Sequence, residues 1–213
     1  MDPMVSDILL QVGLILLLVF VFLKIHDVPS RILSKLRIPN KANIQAKRHF
    51  VRGAQLLSQA ASPSNSRAIS ISLAKQAEEE AQRAIAFDPK DAAAHILKAL
   101  ALDLQGFKTS ALESLDVALS PIAVKSLSDK ERGDALFKRA DMTMQTKRQE
   151  RLESAVNDLT EAVKLSPENA EAFNLLGKCY ESKNMKEEAE KAYEMGRNVK
   201  AEVTGEGKDG RSD

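Results

Sequence analysis

Tryptophan is absent from this chain and cysteine occurs once, at position 179. No internal disulfide can form, and nothing asks for an oxidising compartment. Aromatic residues make up only 4% of the 213 positions, and the 9 glycines and 7 prolines are too few for the many turns of an all-β fold. No Asn-x-Ser/Thr sequon occurs, which fits a domain that stays out of the secretory lumen. His26, His49 and His95 are scattered, with no second His or Cys at ligand spacing, so no metal site is expected. Phosphate-cradling glycine loops, nucleophile elbows and dinucleotide fingerprints are likewise missing. Without a catalytic constellation, the expectation is a protein that is not an enzyme, with no cofactor and no small-molecule substrate. Cys179, beside Tyr180 on a helical pattern, reads as a buried, inert thiol. The carboxylate runs Glu78-Glu79-Glu80 and Glu187-Glu188 read as solvated helix faces.

What the chain does contain is Ala, Leu, Glu and Lys in abundance, residues that lose little rotamer freedom in a helix. With 44% apolar and 29% charged residues, an all-α packed protein is expected. The net charge of +1 hides a strong asymmetry. Residues 1–23 carry Asp2 and Asp7 and no cation, whereas Lys24, Arg31, Lys35, Arg37, Lys41, Lys47 and Arg48 face only Asp27 in the next stretch. The remainder is therefore net acidic, which argues against a nucleic-acid partner, since phosphates need a basic face.

The basic stretch follows a long apolar run. Residues 5–25 read VSDILLQVGLILLLVFVFLKI, with Gln11 the one polar side chain between Ile8 and Leu23 and no charge there. A membrane-crossing helix needs about 20 such residues, with a range of about 17–25. A cleaved signal peptide would want a basic start and a small-residue cleavage site, but the start is acidic and Lys24-Ile25-His26-Asp27 offers none. A buried core helix of that length would be broken by charges more often. The expectation is a single-pass transmembrane helix over 5–25, a short translocated N-terminus over 1–4 and a basic juxtamembrane linker over 26–44. Because every nearby cation follows the span, residues 26–213 are expected to face the cytosol.

From Lys41 onward the chain repeats itself. AAAHILKALALDLQGFKTSALESLDVALSP and AEAFNLLGKCYESKNMKEEAEKAYEMGRN share one helix–turn–helix layout, and Ala99, Ala111 and Ala118 recur at the same offsets as Gly177, Ala189 and Gly196. Two antiparallel helices approach closely only where the crossing carries small residues, with larger ones around it such as Leu102, Leu115, Phe173, Leu176, Tyr180 and Tyr193. Gly53, Ala77 and Ala84 before Asp88-Pro89, and Ala140, Ala155 and Ala162 before Ser166-Pro167, repeat the layout more loosely. These residues resemble the tetratricopeptide (TPR) repeat, a helix–turn–helix unit of ~34 residues. The last unit carries the likeness best, through Phe173, Leu176-Gly177, Tyr180, Ala189 and Tyr193. The resemblance covers roughly residues 45–200 and implies an α-solenoid of about four helix pairs.

Three departures lengthen turns of the array. SPSNSR at 62–67 has loop composition, Pro121 interrupts the stretch from Ser120 to Ser128, and a third excess falls near 145–150. Ser128-Asp129-Lys130-Glu131 reads as a capping box opening the following helix. After residue 200 the tail lacks an apolar pattern, and 201–213 is expected to be disordered.

The family resemblance also implies where a partner would sit, because its members bind peptides or protein segments in a concave groove lined by their first helices. Some relatives clamp acidic chaperone tails there, and the matching positions hold Phe50, Ala54, Leu97, Asp134 and Lys138. Only Lys138 has a suitable charge and Asp134 would repel a carboxylate, so no clamp of that type is expected. The groove candidates are Phe50, Leu57, Ile96, Leu100, Phe137, Asp141, Asn174 and Lys178, an apolar strip with polar ends suited to a helical or extended apolar ligand. At the same spacing Ile96, Leu100 and Phe137 also fit repeat-to-repeat packing.

Together these features lead to the expectation of a membrane-anchored adaptor that recruits a protein or peptide partner. The membrane would be that of the endoplasmic reticulum or the mitochondrial or plastid outer membrane, and the process protein targeting or chaperone-linked. The alternative is a structural or assembly subunit of a membrane complex, although Gly13 alone makes no small-xxx-small contact motif in the span.

Overall fold

The computed structural model describes residues 41–146 and 151–204. The proposed span over 5–25, its short N-terminal flank and residues 26–40 of the linker lie outside the described residues, as does the turn at 147–150. Among the described residues no helix is long and apolar enough to cross a membrane.

Among the described residues, eight α-helices follow one another in four antiparallel pairs. These are α1 (Lys41–Ala60) with α2 (Arg67–Phe87), α3 (Ala92–Gln105) with α4 (Lys108–Ala118), α5 (Asp129–Gln145) with α6 (Leu152–Leu165), and α7 (Ala170–Ser182) with α8 (Lys186–Thr204). Ala42–Asp213 forms one compact unit by itself. Because α8 runs to Thr204, the tail expected from residue 201 starts no earlier than 205, and 205–213 is not described.

The boundaries are written in local chemistry. Ser66 accepts a hydrogen bond from the Ile69 amide, Asp91 from Ala93 and Asn169 from Ala172, so α2, α3 and α7 each open on a capped amide. Ser128 and Glu131 form the full reciprocal capping box at the start of α5. The turns inside the second and fourth pairs are built alike. Gly106 (φ 91°) and Asn184 (φ 59°) take the left-handed conformation, and the next amide bonds five residues back, Phe107 to the Leu102 carbonyl and Met185 to that of Tyr180.

All twelve small residues matched between the units are buried: Gly53, Ala77 and Ala84; Ala99, Ala111 and Ala118; Ala140, Ala155 and Ala162; Gly177, Ala189 and Gly196. Gly53 shows why. A Cβ there would stand 2.9 Å from Leu97 Cδ2, 3.2 Å from the Ala77 carbonyl oxygen and 3.3 Å from Glu80 Cβ, so α1 meets α2 and α3 almost backbone to side chain. Gly133, absent from the matched set, serves the same end in the third pair, where a Cβ would come within 2.8 Å of Ser166 Cβ.

The core runs through the stack in two main clusters. Leu136, Phe137, Leu159, Leu176 and Cys179 unite the third and fourth pairs, and burial pushes the Cys179 thiol up to about 11, where it stays protonated. Leu102, Leu112 and Leu115 fill the second pair, and Met142 of α5 joins them from the next unit. The seam between α4 and α5 is thinner than the packing within either pair, because the connection through Pro121 and the 3₁₀ turn Val124–Ser126 spaces the two units apart. Arg139 spans that seam. Its Nε and Nη2 donate to Asp158 of α6 at 2.8 and 2.7 Å, and its Nη1 donates to Asp116 of α4 at 3.0 Å.

One expectation is corrected. Glu80 is not part of a solvated face but is 4% exposed at the α1–α2 crossing. His49 Nδ1 lies 2.6 Å from its Oε2, Arg83 donates to its Oε1 at 2.7 Å, and Arg52 stands 3.7 Å away. The His49 ring stacks on Phe87 with centroids 5.7 Å apart. Helical spacing located Glu80 on α2, three residues before Arg83, but could not show that α1 would lay His49 and Arg52 across it.

Candidate functional site

The first helices of the pairs (α1, α3, α5 and α7) lie side by side, and their shared face holds a groove of about 690 Å³. That is within the range of about 300–1,000 Å³ usual for ligand pockets. One wall is apolar. Phe50, Ala54 and Leu57 of α1 face Ala93, Ile96, Leu97 and Leu100 of α3. Phe137 of α5 closes this wall, 7% exposed, with its other side in the core of the third and fourth pairs. Both roles allowed by its spacing are therefore filled at once.

The opposite rim is polar. Glu131, Asp134 and Lys138 come from α5, while Asn169 and Glu171 come from the start of α7. Lys138 Nζ leans over the Phe137 ring, 5.3 Å from its centroid. Glu131 is held below the ordinary carboxyl range by the hydrogen bonds it accepts from the Ser128 amide and hydroxyl, so it is ionised at neutral pH. Asp134 accepts from the Ser166 hydroxyl at 3.2 Å. Among the described residues none of these three carboxylates has an ion-pair partner.

Of the eight groove candidates, Phe50, Leu57, Ile96, Leu100 and Phe137 share this cavity. Asp141, Asn174 and Lys178 do not line it. Asp141 lies a turn beyond the last lining residue of α5, Asn174 is exposed with its Oδ1 close to Gly196 of α8, and Lys178 is exposed further along α7. The reason is that α7 contributes only its first turn to the cavity. The five positions matched to the acidic-tail clamp, Phe50, Ala54, Leu97, Asp134 and Lys138, all line the groove, so that register was the available signal for Leu97 and Asp134. Leu127 lines it from the inserted connection, where no helical period could have pointed to it.

A family model described as TPR repeat matches residues 147–184. Three solved structures of MamA superpose on the chain. One gives a TM-score of 0.54 at 17% identity, covering 80% of this chain and 84% of that one. A second gives 0.52 at 15%, covering 78% and 98%, and a third 0.50 at 12%, covering 76% and 98%. The solenoid is TPR-like. At these identities the likeness to MamA is one of fold alone, and comparison with curated protein sequences gives no match. The solenoid leaves a walled groove on the face of its first helices. Among the described residues no three His, Cys, Asp or Glu side chains converge to hold a metal ion.

Proposed function

We propose that this chain is a membrane-anchored TPR-type adaptor that takes up a protein or peptide segment in its concave groove and recruits it to an organelle membrane. The observation that carries the reading is the groove itself: half-buried apolar side chains of α1 and α3, with Phe137 of α5, line an open channel. A concave, mostly apolar channel with a few polar groups at its rim is the usual make-up of a binding site. Anchoring rests on the uncharged run from Ile8 to Leu23, and a cytosolic solenoid rests on the cations that follow it. The outer membranes of mitochondria or plastids and the endoplasmic reticulum suit a span of this length, and protein targeting or a chaperone-linked step is the process in which such an adaptor would act.

Two measurements test this. Protease added to intact organelles carrying the protein removes the solenoid if it faces the cytosol, and protection overturns that topology. Affinity capture with the full chain and with Leu57→Glu tests the groove. Leu57 is the better probe than Phe137, because Phe137 is also core. A stoichiometric partner lost with the substitution supports recruitment through the groove, and equal capture by both versions places the contact elsewhere.

A further inference from the structure

We infer that the groove selects a peptide segment carrying two or three large apolar side chains with a lysine or arginine at one end, and that it rejects acidic tails. The inference rests on the groove reading above and adds the chemistry of the occupant. The two halves of the cavity make different demands. The α1–α3 wall, through Phe50, Leu57, Ile96 and Leu100, is apolar apart from the Ser58 hydroxyl of α1, so apolar groups are what it buries without stranding a polar atom. The α5–α7 rim presents Glu131, Asp134 and Glu171 against the single ammonium of Lys138. That ammonium already leans over Phe137.

Carboxylates beside a low-dielectric wall project a stronger field into the groove than they would on an open surface. A basic side chain reaching the rim meets that field favourably, while a carboxylate meets repulsion and loses hydration. The charge pattern also orients the occupant, with its apolar residues toward α1 and α3 and its cation toward α5 and α7. Such complementarity acts more on selection and on association rate than on total affinity, and it weakens as salt screens the rim.

The experiment uses the full-length chain in nanodiscs of zwitterionic lipid, with empty discs as the blank. Two fluorescent peptides of about twelve residues serve as probes, each with three leucines spaced for one helix face. One ends in two arginines and the other in two glutamates. The arginine peptide is expected to bind at least about five-fold more tightly at low salt, with the ratio shrinking as salt rises. In a chain carrying Asp134→Asn and Glu171→Lys the ratio should fall to about one or reverse, while Leu57→Glu should weaken both peptides. Equal binding of the two peptides by the unaltered chain, with both weakened by Leu57→Glu, overturns the charge selection and leaves the groove standing. Binding that Leu57→Glu does not change overturns the groove itself, and binding of neither peptide above the blank overturns the occupant proposed here.

Discussion

Replacing Arg139 by methionine leaves the Asp158 carboxylate at the α5–α6 interface with neither of the two guanidinium hydrogen bonds that now neutralise it. Asp158 is 7% exposed, and Arg139 itself is held above its ordinary value first by the Asp158 hydrogen bonds, against the opposing effect of burial. Breaking a fully buried pair in this way costs about 3–5 kcal/mol. Here a quarter of the Arg139 side chain still reaches water, which scales the expectation to about 2–3 kcal/mol. Asp116→Asn removes only the third contact, to a side chain that is 64% exposed, and should cost less than about 1 kcal/mol. The double change Arg139→Met with Asp158→Leu removes both charges and should recover most of the loss. The assay is urea unfolding of residues 41–213 followed by helical circular dichroism, with each variant checked for native helix content first. Because Arg139 spans the thin α4–α5 seam, its loss should also broaden the transition as the two halves uncouple. An Arg139→Met protein that loses less than about 1 kcal/mol, or a double variant no more stable than the single one, refutes the assignment of this network as a stabilising clasp.

Five further outcomes follow from the packing and the backbone. Glu80 is buried, which raises its pKa, but the His49 hydrogen bond and the charges of Arg52 and Arg83 outweigh this and hold it below its ordinary value of 4.5. Its contribution to stability is therefore complete above that value and is lost as pH falls through the lower folded value. Thermal melts from pH 6 to pH 3 should show Glu80→Gln less stable than the parent at the upper end and the gap closing on acidification. Gly106→Ala should cost about 1–2 kcal/mol purely through its left-handed backbone, since nothing lies within 4 Å of the added carbon. Asn184→Gly, at the equivalent turn, should be neutral or slightly stabilising by the same denaturation measurement. Gly177→Ala meets the Tyr193 ring at 2.6 Å, so the gain in helix propensity should be outweighed by a net loss of about 1–2 kcal/mol. Met142→Ala opens a cavity in the core of the second pair and should cost about 2–4 kcal/mol, measured as a lower urea midpoint with little change in slope.

The repeat was legible in the residues themselves because its signals are local. Small residues at matching offsets mark where paired helices must touch, and Ser128 with Glu131, or Asn169 two residues past Pro167, mark where a first helix must start. Each depends on neighbours a turn or one hairpin away, so the amino-acid order was enough for about four helix pairs and most of their positions of closest approach, though not for the length of α1 and α2 or the approach at Gly133. It also placed Phe50, Ile96, Leu100 and Phe137 on one face of their respective helices.

The remaining features depend on how one pair is packed onto the next. Glu80 became a buried carboxylate because α1 crosses α2 with His49, Arg52 and Arg83 gathered over it. On α5 the groove ends at Phe137 and Lys138, and it takes only Asn169 and Glu171 from the fourth pair. Asp141, Asn174 and Lys178, at the corresponding helical positions, are carried off that surface. Leu127 enters it because the Pro121 connection packs onto the start of α3, where the Ala92 amide donates to Ser126 Oγ. A helical period assigns a residue to a face of its own helix. Which faces then share one surface is set by the rotations between units, and those follow from side-chain packing between residues tens of positions apart.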